Sequence, residues 1–476
     1  MLDALDSSGY ELARLILQRG VAGVYLVAFI SSAAQFPALL GERGLLPVPR
    51  YLARIRRPPG PTLFSWRYSD ALLRLVSFTG AAIAAILVLG LPQLGPPWLP
   101  MLAFVALWLL YMSIVNVGQV FYGFGWEILL LEAGFMAAFL GSDAVPAPVA
   151  IIWLFRWLVF RLEFGAGMIK MRGDSCWRDL TALYYHHETQ PMPNPLSWWF
   201  HHLPRPLHKV EVLGNHFAQL VVPFFLFAPQ PVASVAATIV ITTQLWLVLS
   251  GNFAWLNVLT IILASSALAD GPVAAVLPAL VPGTGLREPT PLWFTAVALA
   301  AAVLLLVLSW KPLRNLFSHY QLMNASFNRW RLGNAYGAFG SITRRRYEVA
   351  VEGTDDADPD SAVWLEYGFH GKPGEPGRLP RQYAPYHLRL DWLMWFLALG
   401  SPGLDWFVPL LNKLLAADAP TLKLLRHDPF DGRPPRWIRA RVYRYRYTSW
   451  GEWRRTGDWW VREPLGLFVP AFSARD

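Results

Sequence analysis

Long apolar runs separated by short polar ones fill the first two thirds of the chain. Runs near the roughly 20 residues needed to cross a bilayer lie at 14–36, 70–91, 98–116, 124–141, 148–170, 211–228, 233–250, 253–269 and 291–310. Gly and Pro interrupt several of them, which membrane helices tolerate, and the pattern predicts eight or nine spans. Between the first two runs, GERGLLPVPRYLARIRRPPGPTLFSWRYSD carries six arginines and reads as a loop with a short piece on the membrane surface. Beyond residue 340 the period changes. Tyr347–Val351, Val363–Phe369, Trp437–Thr448 and Asp458–Arg462 read as strands, and Tyr386–Leu399 and Leu404–Ala417 as helices. The expected fold is an α-helical multi-pass membrane bundle with a C-terminal mixed α+β, β-rich soluble domain. Its expected divisions are a transmembrane domain over 1–310, including a polar loop at 171–210, an interfacial connector over 311–343, and the soluble domain over 344–476.

Composition supports that division. The chain is 54% hydrophobic and 15% charged, against about 25% charged in soluble domains. Residues 1–339 hold 36 charged side chains and residues 340–476 hold 37, so the tail is the water-exposed part. The 23 tryptophans suit membrane–water interfaces. A net charge of +9 without a nucleic-acid motif reads as membrane-surface charge and predicts no nucleic-acid partner. Cys176, the single cysteine, rules out an intramolecular disulfide. The start, MLDALDSSGYELARLILQRG, has no cleavage site after its first apolar run and reads as an uncleaved first helix.

Ionisable residues inside spans are candidates for function. The fourth run carries Glu127 and Glu132; the fifth carries Arg156, Arg161, Glu163 and Lys170. Arg156, Glu163 and Lys170 recur every seven residues and so share a helix face, with Gly167 leaving room beside it. The simplest expectation is a hairpin neutralised by acid–base pairs; the alternative is a polar cavity with Lys170 acting as a base at its mouth. After this run comes SCWRDLTALYYHHETQPMPNPLSWW. Six of ten histidines fall within 186–216, yet no HExxH or CxxC spacing appears. No metal and no cofactor are expected. Asp174 or Ser175 is placed to cap a helix from Trp177 to His187. Pro191, Pro193 and Pro195 impose a pre-ordered, extended segment, as a lid or a docking surface requires.

GERGLLPVPRYL, FGWEILLLEAGF, SCWRDLTALYYHHETQPMPNPLSWW, PYHLRLDWLMWF, LLRHDPFDGRPPRWIRARVYRYRYT and WWVREPLGLFVP together resemble the lipase maturation factor family, over the whole chain. The resemblance implies a multi-pass membrane protein, in the endoplasmic reticulum of eukaryotes, that helps dimeric secreted lipases fold and assemble. It ties the tail to the client. It makes Trp177, Arg178, Asp179, Tyr185, His186, His187, Pro191, Pro193, Asn194 and Trp198 a signature. Separately, FGAGMIKMRGDSCW is similar to a segment of vitamin K-dependent gamma-carboxylases in which a lysine three residues after Ala-Gly is the base; here Ala166-Gly167 precedes Lys170 by that spacing.

The eukaryotic maturation factors carry several cysteines and this chain one, which excludes thiol exchange within one chain. Its Ala/Arg/Pro/Leu-rich composition looks bacterial, predicting an inner-membrane location. The basic loops alone would place the tail in the cytoplasm; the family implies the opposite face, and access to a secreted client favours the family. The leading expectation is a maturation factor that contacts lipid and a secreted lipase-like client. Trp437, Tyr443, Arg444, Tyr445, Trp459 and Trp460 are the candidate client contacts. The alternative is a membrane enzyme acting on a lipid-soluble substrate, with Lys170 as base and His186 or His187 assisting. A transporter is a third, unsupported by any visible repeat.

Overall fold

In a computed structural model, residues 9–282, 288–401 and 403–474 are described. The first residues of the expected uncleaved helix, Met1–Ser8, lie outside them. The bundle starts with α1 (Glu11–Leu40), α2 (Asp70–Val88) and α3 (Trp98–Val115). The Ser69 hydroxyl caps α2 by accepting from the Leu72 amide at 3.1 Å, satisfying one orphan donor of the first turn. Gly80 lets α2 press onto α1, because a Cβ there would run into the Phe29 ring. Next come α4 (Gly125–Ala137) and α5 (Val149–Arg172), then the loop helices α6 (Leu183–Thr189) and α7 (Ser197–His201). They lead into α8 (Arg205–Leu220), α9 (Val232–Ser250), α10 (Leu256–Ala264) and α11 (Leu292–Leu308).

Among the described residues, five helices are long and apolar enough to span a membrane: α1, α2, α3, α9 and the stretch Leu292–Leu316 that contains α11. The bent pair Leu256–Ala267 and Asp270–Val276, meeting at 104°, makes a sixth if it counts as one span. The chain is a multi-pass membrane protein with five or six candidate spans rather than eight or nine. Three expected spans account for the difference. The helix at 124–141 stops after 13 residues, α5 carries too many charges, and α8 is amphipathic, with Leu207, Val210, Leu213 and Phe217 exposed on one face. α4 and α5 are instead wrapped by the other helices, which is how their charges escape lipid: Glu127, Glu132, Arg156, Arg161 and Glu163 are all buried.

The tail forms a four-stranded antiparallel sheet in the order β2-β1-β3-β4, with β1 (Arg346–Thr354), β2 (Leu365–Glu366), β3 (Trp437–Tyr447) and β4 (Trp460–Ser473). Val351 pairs with Ala440 and Arg446 with Val461. The helices α12 (Arg389–Ala398) and α13 (Leu404–Leu415) pack on β1 and β3, and α14 (Trp450–Thr456) joins β3 to β4. Two strand expectations need correction. Val363–Phe369 supplies only the two residues of β2, and β4 runs far past Arg462 to Ser473. Pro464 and Pro470 disguised its length, but β4 is an edge strand, where a missing amide donor is tolerated. One apolar core joins both regions: Tyr25, Phe29 and Leu129 belong to the same buried cluster as Trp392, Phe407, Leu411 and Ile438.

Candidate functional site

The charges of α4 and α5 divide into two structural knots and one cavity lining. In the first knot Arg161 pairs with Glu132, and the Glu132 carboxylate also accepts from the Asn334 amide at 3.0 Å and the Tyr336 hydroxyl at 2.8 Å. The expected α4–α5 pair therefore forms, and it fastens the segment around Tyr336 into the bundle as well. In the second, Glu127 accepts from Arg389 at 2.6 Å and from the Tyr111 hydroxyl, while Arg389 also donates to the Phe121 carbonyl at 2.8 Å. Its partner is thus in the tail rather than on α5. Among the described residues Arg156 finds no acid: it donates to the Ser266 and Leu226 carbonyls at 3.2 and 3.3 Å and stacks over Tyr10 and Trp153.

Glu163 and Lys170 line a cavity of about 1210 Å³, walled by α5, α8, α9, α10, the α6 histidines, residues 336–343 and tail residues from Trp392 to Trp406. Arg156 does not reach it, so the expected three-charge face divides. A polar strip crosses the apolar wall. Lys170 Nζ donates to Asn215 Oδ1 at 2.8 Å and Gln219 Oε1 at 2.9 Å, and Gln219 Nε2 donates to Glu163 Oε2 at 3.2 Å. Gln244 Nε2 donates to Glu163 Oε1 at 2.6 Å, and Asn257 Nδ2 to Gln244 Oε1 at 2.7 Å. Lys170 Nζ also lies 4.6 Å from the Trp177 ring centroid, a cation–π contact. The strip joins a cation to a carboxylate through amides inside an apolar chamber, an arrangement that suits an amphipathic ligand with one polar end. Asn215, Gln219, Gln244 and Asn257 were missed in the sequence; an amide in an apolar run is the signal that marks such residues.

The signature loop divides at Leu180. Asp174 caps only Ser175–Arg178, and Leu180, with φ at 58°, breaks the expected Trp177–His187 helix before α6 begins. His186 and His187 are buried beside the cavity. Burial, reinforced by the charge of Lys170, pushes the His186 imidazole down to about 3, so it is neutral at physiological pH. The other end of the loop meets the tail. Arg346 of β1 donates to the carbonyls of Glu188, Gln190 and Pro191 at 2.9, 2.5 and 3.0 Å, with Glu348 as its counter-ion. Trp198 Nε1 donates to the Thr448 carbonyl at 3.1 Å. Asn194 Nδ2 donates to the Leu249 carbonyl of α9 at 2.9 Å and to Gln382 Oε1 at 3.1 Å. Asn252 Nδ2 donates to the Pro193 carbonyl at 3.1 Å. Pro191, Pro193 and Asn194 thus sit in a seam between membrane helices and sheet. Tyr185 stacks under Arg344, Arg178 donates to the Met171 carbonyl at 2.7 Å, and Asp179 closes the turn after Arg178.

The aromatic side chains proposed for client contact are unequally accessible. Tyr443, Tyr445 and Trp460 are buried, forming with Trp198 and Tyr447 the small core that holds the loop to the sheet. A partner does not reach them in this conformation. Trp437, Arg444 and Trp459 keep partial exposure, Arg444 in a loose pair with Glu463 at 3.7 Å.

Comparison with known proteins fits both regions. Residues 12–275 match the lipase maturation factor transmembrane domain and residues 332–470 the lipase maturation factor C-terminal domain. The chain is 42% identical to lipase maturation factor 1 of Bos taurus, over 99% of this chain and 91% of that protein. It is 40% identical to the Homo sapiens protein of that name, over 99% and 90%. Lipase maturation factor 2 of Homo sapiens is 29% identical over 98% and 84%. No solved structure matches. A multi-pass membrane bundle fused to this sheet domain, matched along both, belongs to the lipase maturation factor family.

Proposed function

We infer that the chain assists the maturation of a secreted lipase-type client while anchored in a membrane. The observation that carries this is identity along 99% of the chain to proteins named for lipase maturation. In this reading 1–310 is the membrane domain, 311–343 the connector and 344–476 the domain that meets the client. Trp437, Arg444 and Trp459 offer the accessible part of the contact surface. The tail and long loops face the lumenal side, and the membrane is that of the endoplasmic reticulum, where a chaperone for a secreted protein has access to it. Placement in a bacterial inner membrane rests on composition alone, and the relatives compared are animal proteins. The test is rescue. Cells lacking their own maturation factor, expressing a dimeric lipase, should recover secreted activity per lipase mass when this chain is supplied. Unchanged specific activity, with the chain present in the membrane, would refute the reading.

A second reading is favoured by one observation, the chamber that encloses Lys170 and Glu163. There the chain acts on a lipid-soluble substrate, with Lys170 as base and His186 or His187 positioning it, as the carboxylase likeness of Ala166–Lys170 suggests; the relatives give that likeness no support. Rescue by Lys170→Ala equal to the parent would end this reading and leave the first intact.

A further inference from the structure

Where α6, α7 and α8 meet, three ligand-capable side chains converge. His187, His208 and Glu211 each place one such atom within 4.8 Å of the others. His208 and Glu211 are one turn apart on α8 and share a face; His187 arrives from α6. Both histidines are buried, at 3% and 2% exposure. Among the described residues neither ring nitrogen of His187 has a hydrogen-bond partner. Buried polar atoms are almost always satisfied, so two bare nitrogens on one enclosed ring indicate a missing partner.

The surroundings aim the other two groups. His208 Nε2 lies 3.3 Å from the His201 carbonyl, to which only an N–H can bond. In the neutral ring this leaves Nδ1 as a bare acceptor, and it faces Glu211 Oε2 at 3.0 Å. Two lone pairs that close repel unless a cation lies between or beside them. The far oxygen of Glu211 is held by Trp246 Nε1 at 3.0 Å. A carbonyl fixing the imidazole tautomer and a donor fixing the carboxylate are the supports that metal-binding histidines and carboxylates receive. A metal ion beside His208 and Glu211 removes that repulsion and takes one of the two bare nitrogens of His187.

We propose that His187, His208 and Glu211 bind a divalent transition-metal ion of the zinc class, with its fourth coordination position open to the membrane cavity. Two imidazoles and a carboxylate form a three-ligand set that zinc takes when it keeps a water. His187 and Glu211 both line the cavity, which opens that fourth position to it. Ligands about 2.0–2.2 Å from one ion stand roughly 3.4 Å apart, so a trio whose ligand atoms lie within 4.8 Å of one another tightens by at most about 1.4 Å on loading. The site is independent of which client or substrate the chain serves.

The test uses the full chain, purified in detergent with a tag free of histidine and dialysed against metal-free buffer. Elemental analysis should find about one zinc per chain. Replacing it with Co²⁺ should give the intense visible d–d bands of a low-symmetry four-coordinate site. His187→Ala and Glu211→Gln should each reduce bound metal at least tenfold, whereas His202→Ala, which removes a histidine outside the cluster, should leave it unchanged. Metal-free parent protein without cobalt bands overturns the proposal, as does undiminished metal in folded His187→Ala. If either variant fails to fold, the cobalt spectrum of the parent decides alone.

Discussion

The contact between Glu127 and Arg389 joins the membrane bundle to the tail, and both side chains are fully enclosed. Replacing Arg389 with Met keeps most of its length and removes its charge. Glu127 then keeps the Tyr111 hydroxyl but no positive charge, since the neutral His387 uses Nδ1 to accept from Trp126 Nε1 at 3.3 Å. Removing one partner of a buried pair costs about 3–5 kcal/mol, because the remaining charge stays buried without compensation. Arg389→Met also forfeits the bond to the Phe121 carbonyl and the stack 3.5 Å over Tyr122, so its effect belongs at the upper end. Glu127→Gln strands the guanidinium and costs somewhat less, since the amide oxygen still accepts. The double replacement strands no charge. Its cost should fall short of the sum of the single costs by about 2–3 kcal/mol, the scale of directly coupled residues. The assay is thermal unfolding in detergent, followed by tryptophan emission, with the three variants and the parent compared at one pH. Limited trypsin digestion reports in parallel whether the tail leaves the bundle first. Single effects that add within about 0.5 kcal/mol would refute the reasoning, since additivity is what uncoupled residues show.

Neighbouring contacts give further expected outcomes. Arg346→Met leaves Glu348 paired with Lys372 at 3.4 Å but strips the donor from three loop carbonyls, so it should cost about 1–3 kcal/mol and should expose 188–195 to proteolysis, read by mass spectrometry of the fragments. Burial, with the Arg389 charge adding to it, pushes the His387 imidazole down to about 3. The unfolded chain takes up that proton below about pH 6.5 and the folded one does not, so stability is complete above pH 6.5 and falls as pH drops toward 3. At pH 5 the share of the loss carried by His387 is about 2 kcal/mol, and His387→Gln should reduce the dependence of Tm on pH between 7 and 5 by that share. Gly80→Val should drive methyl groups into Phe29 and cost about 1–3 kcal/mol, read as a lower Tm with the far-UV spectrum unchanged.

Features carried by local pattern were legible in the sequence; features made by distant contacts were not. The density of charge marked the tail, and the acids of α4 and bases of α5 announced a buried network. Yet only Glu132–Arg161 is the pairing that neighbouring helices suggest. Glu127 is 262 positions from Arg389, and no periodicity connects them. The span count erred because hydropathy measures apolar content and not which helices face lipid: α4 is short and α5 charged, and both are lined by protein. The prolines of β4 hid a strand because an edge position, which excuses them, is a property of the finished sheet. The metal trio shows the same limit. A search for ligand pairs at fixed spacing finds His208 and Glu211 unremarkable, since the third ligand comes from α6, separated from α8 by the proline segment and α7.

The seam around residues 188–198 explains how the two regions act as one body. Arg346 grips the loop from the sheet side, Asn194 grips α9 from the membrane side, and Trp198 fills the sheet's small core. A segment restricted by Pro191, Pro193 and Pro195 loses little backbone entropy when it is held this way. The cavity takes walls from both regions, Lys170 and Gln244 from the bundle and Trp392 to Trp406 from the tail. A ligand that spans that chamber therefore touches both regions. A ligand that binds the closed arrangement more tightly than an opened one must stabilise the docked tail by the same free energy. Occupancy of the membrane cavity and readiness of the tail are then two readings of one equilibrium, joined by the loop between them.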